Sequence, residues 1–492
     1  MKTNTLDFDA QALREKILDL AMRGKLVPQD PNDEPASVLL KKIKAEKEQL
    51  IKEKKIKKSK PLAPITDDEK PFDIPDSWEW VRLGDVGEII SGGTPKTSEK
   101  SYWENGNIPW ITPAVMSDTQ DDLIFNNKQI KFINKLGLEK SSAHLILKNS
   151  LVVSSRAPIG YVNIVPFDYT TNQGCKSVSL YSNTAKEFVY FALKNAVPDM
   201  IKRASGTTFK EISGTKFGQT IIPLPPLEEQ SRIAAKIAQL FALLRKVESS
   251  TQQYVKLQTL LKSKVLDLAM RGKLVEQDPH DEPASVLLEK IRRDTSERIL
   301  KKETQRIKIG DFPNERALQY KIPKSWIWTK LGNIIYKLSD GAHKTPEYTS
   351  DGIPFLSVKD MSSGKIDFSN CKYISVNSHK ELYKRCDPQK GDIILSKVGT
   401  TGVPAIVETD RQFDLFVSVA LLKFNHKYID TKFLRYLIES PLVQQQAQKN
   451  TRGVGNKNWV LRDIAGTVVP LPSLSEQIQI ANKLEKVFSL LN

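Results

Sequence analysis

Apolar residues recur every seven positions after Pro225-Pro226: Ile233, Leu240, Val247, Tyr254, Leu261 and Leu268, with Ile237, Leu244 and Val265 in a partial second register. Glycine and proline are absent from Leu227 to Arg271, so nothing in that stretch breaks a helix. The spacing predicts a long helix with a coiled-coil seam. Some 45 residues at 1.5 Å each would span roughly 65–70 Å if unbroken; two shorter helices in a bundle are the alternative. Gly272 supplies the stop. Both chain ends carry the same phase, through Ile480 and Val487 at one end and Leu6, Leu13 and Leu20 at the other. Aligned on the central copy, Asn492 falls at Arg245 and Met1 at Ser249. The pattern therefore predicts one helix cut open between the termini, packed antiparallel to the intact one. A pseudo-two-fold axis would relate the halves of this circular arrangement.

That symmetry is written in an internal repeat. Residues 17–43 and 265–291 are identical at 23 of 27 positions, at an offset of 248. The same offset aligns Ile74-Pro-Asp-Ser-Trp-Glu-Trp with Ile322-Pro-Lys-Ser-Trp-Ile-Trp. Further on the match weakens but keeps its order: Lys148–Ser154 resembles Lys390–Ser396, and Ile221–Gln230 resembles Val468–Gln477. The AMRGKLV segments are nearly unchanged, whereas the stretches between the Trp-x-Trp and PLP elements have drifted. Two equal surfaces suggest two copies of one partner; two unequal ones suggest two different ligand sequences. Uneven drift in loops is the bland alternative, but the exposed-looking PQDPNDEPAS loop is kept. Met22, Arg23 and Leu26, with Met270, Arg271 and Leu274, are the candidate partner-docking residues.

A second helix follows each AMRGKLV loop, started by acid and proline at Asp33-Glu34-Pro35 and Asp281-Glu282-Pro283. Leu39, Leu40, Ile43, Leu50 and Ile51 give it one apolar stripe. Residues 70–226 and 312–473 are mixed: short β-like runs such as Leu145–Ser154 and Asp392–Lys397 alternate with turn residues, beside helix-like pieces at Ala185–Asn195 and Thr431–Ser440. The fold class expected is α+β: two similar mixed α/β heads held apart by long antiparallel coiled-coil helices.

Charge points to a polyanionic partner. The 492 residues carry a formal charge of +16. Residues 41–60 hold ten lysines against three glutamates and supply much of it, mostly as a solvated helix face. The remainder is spread along the chain, which suits a DNA track. Cys175, Cys371 and Cys386 form no CxxC pair, and no apolar run approaches the ~20 residues that span a bilayer; a cytoplasmic protein is expected. There is no GxGxxG after a strand, no NPPY-like tetrapeptide and no GxxxxGK[ST] loop. The five histidines lack metal spacing, so no metal, cofactor or catalytic set is expected in the chain.

Taken in order, Ser91-Gly-Gly-Thr-Pro95, Ile108-Pro-Trp-Ile-Thr112, Ser154-Ser-Arg-Ala-Pro-Ile-Gly160, Thr171-Asn-Gln-Gly174, Ser205-Gly-Thr-Thr-Phe-Lys210 and the Pro-Leu-Pro-Pro-Leu-Glu-Glu-Gln block ending at Gln230 resemble the specificity subunit of type I restriction-modification systems, over essentially the whole chain. The resemblance implies five regions. These are an N-terminal helical region at 1–69, target-recognition domains at 70–226 and 312–473, a central helical region at 227–311 and a C-terminal one at 474–492. It implies that each target-recognition domain binds one half of a bipartite, asymmetric DNA site. It also implies that two methyltransferase subunits dock on the frame and that motor-nuclease restriction subunits join them. S-adenosylmethionine, ATP and Mg would belong to those partners. The second head departs from the pattern, with Arg452-Gly-Val-Gly-Asn-Lys-Asn458 where the first has the Ser205–Lys210 motif. A stand-alone nuclease and a structural coiled-coil spacer remain as alternatives.

Base edges are read by polar and cationic side chains. Arg156 is a candidate for guanine or phosphate, and Asn172 and Gln173 for bidentate adenine contact. Lys210 and Lys457, at equivalent positions, suit phosphates. Thr94, Lys96, Thr207, Thr208, Asn456 and Asn458 flank them. Lys344, Lys397, Thr400, Thr401 and Arg452 are the analogous choices in the second head. For each, the alternative is a turn residue satisfying its own backbone. Trp78, Trp80, Trp326 and Trp328 are expected to pack in the core where head meets frame.

Overall fold

A computed structural model describes residues 9–58, 61–181, 184–206, 210–310, 320–453 and 457–491. The chain divides into two compact units, Asp7–Thr251 and Gln252–Asn492. Where glycine and proline are absent the helix is continuous, from Leu227 to Met270. Its buried residues cluster at its ends. Ile233 and Ile237 lie in the first unit's core, Leu266, Ala269 and Met270 in the second's. Between them Leu243, Val247, Tyr254, Val255, Leu257, Leu260 and Leu261 are exposed. Among the described residues the helices that run beside this stripe are short, Ala10–Met22 and Leu474–Leu491, and leave those side chains exposed.

Within each unit the short helix runs antiparallel to the long one. In the first, Arg14 grips Glu248 through two bonds of 3.0 and 2.6 Å, while Asp33 meets Arg232 at 2.6 Å. In the second, Gln258 donates to the Leu491 carbonyl while Gln277 donates to Glu476. The predicted meeting of Met1 with Asn492 lies outside the described residues, as does Leu6.

The near-identity of the repeated segments has an intramolecular cause. Gly24 and Gly272 end their helices with φ of +67° and +65°, and a Cβ on either would stand 2.5 and 2.3 Å from Cγ of Pro75 and Pro323. The same backbone approaches the rings of Trp78 and Trp326. Both indoles are buried, and each donates to a carboxylate of the PLP block: Trp78 to Glu229 at 2.9 Å, Trp326 to Glu476 at 2.7 Å. Gln29 and Gln277, from the QDP loop, donate to the same two carboxylates. The next residues, Gln230 and Gln477, are buried and accept from the amides of Ala185 and Asp430, fixing the start of each head helix. Trp80 and Trp328 pack against Phe72 and Tyr320. AMRG, IPxSWxW and the Glu-Gln pair thus hold one another, and none can drift alone.

The first unit contains strands β1 (Glu79–Arg82), β2 (Gly87–Ser91), β3 (Ile108–Ile111), β4 (Lys131–Ile133), β5 (Leu151–Ser155), β6 (Ile159–Ile164), β7 (Thr170–Thr171), β8 (Cys175–Leu180) and β9 (Ile221–Leu224). The second contains β10 (Ile327–Lys330), β11 (Lys337–Asp340), β12 (Tyr348–Thr349), β13 (Ile353–Leu356), β14 (Lys372–Ile374), β15 (Ile393–Ser396), β16 (Pro404–Ile406), β17 (Asp414–Leu415), β18 (Val419–Lys423) and β19 (Val468–Leu471). The topologies match. The order β2-β8-β5-β6 repeats as β11-β18-β15-β16, and β4-β3-β7 repeats as β14-β13-β17 with β12 added at the edge. Both small sheets contain one parallel pair, β3 with β7 and β13 with β17. Central strands β5 and β15 are buried along their whole length, which is why they read as continuous apolar runs.

Two boundaries differ from expectation. Leu145–Ser150 is not strand; Ile146 makes one isolated bridge to Tyr169 before β5 begins. The first head helix runs Lys186–Arg203 straight through Pro198, whereas the second stops at Glu439 and restarts at Pro441. There buried Ser440 bonds the Leu437 carbonyl at 2.6 Å and caps the new helix at the Val443 amide.

Candidate nucleic-acid interface

In the first head the motif loops meet at one end of the β2-β8-β5-β6 sheet. The Gly93 amide donates to Thr171, Ser155 to Gly174 and Ile212 to Ser155, at 2.8, 2.8 and 3.0 Å. Arg156 and Ser205 both bridge to Glu211. Trp110 donates its indole N–H to the Gly93 carbonyl at 3.1 Å, so the Ile108–Thr112 motif anchors the Ser91–Pro95 loop. A side chain at Gly92 would collide with the Asn172 carbonyl, at 1.9 Å from the added Cβ. Glu211 is shared by Lys176 at 3.3 Å and Arg156 at 3.5 Å. Two cations on one carboxylate leave the mouth positive, with Lys176 buried and Arg156 partly exposed.

The predicted residues separate here. Lys96, Gln173 and Lys210 are exposed, and Thr94 donates to Gln173 beside them. Asn172 takes the turn role: its side-chain oxygen accepts the Gly174 amide at 3.0 Å, so that acceptor is spent locally. Thr207 and Thr208 lie outside the described residues.

The second head builds the same mouth from other side chains. Ala342 donates to Leu415, Val417 to Ala342, Lys397 to Ser418 and Gly399 to Lys457, at 2.8, 3.0, 2.9 and 2.9 Å. Arg452 pairs with Asn458, and Val398 with Asn458, as Ser205 and Arg156 pair with Glu211. The divergent Arg452–Asn458 motif thus closes an equivalent loop, with Lys457 exposed as Lys210 is. Where the first head has Thr171-Asn-Gln-Gly174, the second has Leu415-Phe-Val-Ser418, without amide side chains.

Lys344, Thr400 and Arg452 are exposed; Thr401 and Asn458 are half-buried; Asn456 lies outside the described residues. Lys397 corrects the expectation. It is 4% exposed and its ammonium lies 3.4 Å from Asp340, so it is an internal counter-ion rather than a group presented to DNA. The sequence reading also missed Arg385 and His343, which stand over the same Asp340. Arg385 lies in no motif shared by the two heads, so no sequence signal marks it; His343 stands beside Lys344 in the loop that aligns with Ser91–Thr97.

On the frame, Met22 and Met270 are fully buried in their own units and have no surface to give a partner. Leu26 and Leu274 are half-buried against the same cores. Arg23 and Arg271 remain partly exposed, each bonded to an aspartate one turn back (2.7 and 2.8 Å) and stacked on Phe72 or Tyr320. The larger apolar surface lies on the long helix, where Val247, Tyr254 and Leu261 of the heptad stripe are exposed and Leu257 and Leu260, beside that register, are each 63% exposed. Among the described residues no group of three His, Cys, Asp or Glu is placed to hold a metal ion, and no helix is long and apolar enough to cross a membrane.

The family profile of the type I restriction modification DNA specificity domain matches residues 75–257 and 323–492. The type I restriction enzyme EcoAI specificity subunit of Escherichia coli is 29% identical, over 99% of this chain and 90% of that protein. The EcoEI specificity subunit of the same species is 26% identical, over 98% and 90%. A solved chain from work on complex assembly and conformational transition of the type I R-M system superposes with a TM-score of 0.57 at 17% identity, over 86% of this chain and 92% of that one. This last likeness is one of fold.

Proposed function

Because the chain belongs to the type I restriction modification DNA specificity family, we propose that it selects the DNA sequence for such a system, each head binding one half of a bipartite, asymmetric site. One observation carries this reading. Two mouths share a backbone arrangement but differ in the side chains they present, Thr94, Arg156 and Gln173 against His343, Arg385 and Thr400. Equal scaffolds with unequal polar groups are what two different half-sites require.

The frame docks two methyltransferase subunits, through the exposed heptad stripe and the Arg23 and Arg271 loops, and the motor-nuclease subunits join through them. S-adenosylmethionine, ATP and Mg act on those partners in the cytoplasm, and this chain supplies recognition rather than chemistry. Incubating the purified chain with magnesium and plasmid DNA tests the last point, since cleavage without partners would contradict it. The main test is to exchange residues 312–473 for those of a relative and to map methylation in cells carrying the complete system. One half of the methylated motif should change and the other persist. Methylation still directed to the old site would overturn the assignment.

A further inference from the structure

The mouth of the second head carries a charged side-chain group built on another strand end than the Glu211 group of the first. Asp340, the last residue of β11, is 3% exposed. Two cations pair with its carboxylate, Arg385 Nη2 at 2.5 Å and Lys397 Nζ at 3.4 Å, and His343 Nε2 stands 3.1 Å away. The pairing of β2 with β8 and of β11 with β18 puts Ser91 at the matching end of the first head's strand. Lys397 is as buried as Asp340, so those two charges compensate inside the protein. The charge of Arg385 is then surplus, and its side chain is 57% exposed. Arg385 Nη2 also lies 2.9 Å from His343 Nε2, and where that nitrogen accepts through its lone pair one corner of the guanidinium is held from two directions, by Asp340 and by His343. Among the described residues Nε and Nη1 have no hydrogen-bond partner, and Arg385 lines a cavity with Asp340, His343, Lys344 and Asp414, the last paired with His379 at 2.6 Å.

We propose that Arg385 is a specificity-determining residue, whose guanidinium reads a guanine in the half-site bound by the second head. Its chemistry fits: a planar fork of donors matches guanine O6 and N7, which present two acceptors in the major groove. Asp340 and His343 act behind it as positioning residues. A guanidinium already fixed at one corner loses less freedom on engaging a base. The inference rests on the proposal that this head reads DNA.

The experiment uses the chain assembled with the modification subunits of its own system. The probe is a library of duplexes randomised in both half-sites, with the methylated fraction sequenced. For Arg385→Ala the preference for guanine at one base pair should fall about 10- to 100-fold, with the other half-site unchanged. Arg385→Lys keeps the charge but not the fork, and should lose the same preference. Asp340→Asn should weaken it less, because His343 still holds the guanidinium. Unchanged base preferences in folded Arg385→Ala, or a uniform loss at every position, would overturn the proposal. The exchange of residues 312–473 separates the two ideas. If it changes the motif while Arg385→Ala does not, only the role of Arg385 fails; if it changes nothing, DNA reading by this head fails.

Discussion

Gly24 and Gly272 are held in the left-handed region against a proline ring and an indole, so their substitution tests the lock between frame and head. Gly24→Ala should cost at least about 1–2 kcal/mol from backbone conformation alone, and more as Pro75 is displaced. Gly310→Ala, where an added Cβ meets nothing, is the matched control in urea unfolding. Equal midpoints for the two would refute the lock. Glu229 behind it gives a pH signature. Burial pushes its carboxyl above the usual range, more than the Trp78 and Gln29 donors pull it down. The folded state therefore binds this proton more tightly than the unfolded one. The resulting stability is fully present below the ordinary glutamate pKa and lost as pH rises through the folded value. Glu229→Gln should accordingly gain in melting temperature relative to the parent as pH rises above the ordinary glutamate value; a difference independent of pH would count against it. At the mouths, Lys210→Ala and Lys457→Ala should each flatten the log–log salt dependence of DNA binding by about one. The exposure of Lys210 and Lys457 follows from their place in polar turn segments, which the sequence shows. The roles of Asn172 and Lys397 were not legible there, since their acceptor and ammonium are claimed by Gly174 and by Asp340, a residue 57 positions away.

At the scale of elements, the long helix was legible from composition alone, and its stop at Gly272 likewise. What covers its seam was not, because heptad spacing records an apolar stripe without naming the surface that meets it. Leu257 and Leu260 are largely exposed, so Leu257→Glu with Leu260→Glu should leave the chain's unfolding within about 0.5 kcal/mol of the parent. The same pair should abolish co-elution with the methyltransferase subunits on size exclusion. Intact co-elution would show that the partners dock elsewhere. The head sheets were the least readable elements. Their strands are short, and the parallel pairs of β3 with β7 and β13 with β17 join residues some 60 positions apart. No local pattern encodes such pairing. The two heads keep one topology with scattered identities because inward positions accept any apolar side chain of similar volume, while the turns need only a few glycines and backbone bonds.

For the whole molecule, the junctions give the strongest experiment. The two units share one lock between head and frame: Gly24, Pro75, Trp78 and Glu229 in the first, Gly272, Pro323, Trp326 and Glu476 in the second. A head carrying its own Trp-x-Trp and PLP elements should therefore seat on either frame. Replacing residues 312–473 with a second copy of residues 70–226 preserves this lock and removes Arg385, Asp340 and His343 altogether. The chain should then direct methylation to a motif made of one half-site repeated, namely the half that survives exchange of the second head. The arrangement of the copies carries further information. If the two halves are related by the pseudo-two-fold axis that the heptad phase predicts, the repeated half-sites will be inverted with respect to each other. A direct repeat would keep the two-head reading and discard that symmetry. Methylation confined to the original asymmetric motif would discard both, because a chain without the second head could not have specified its half.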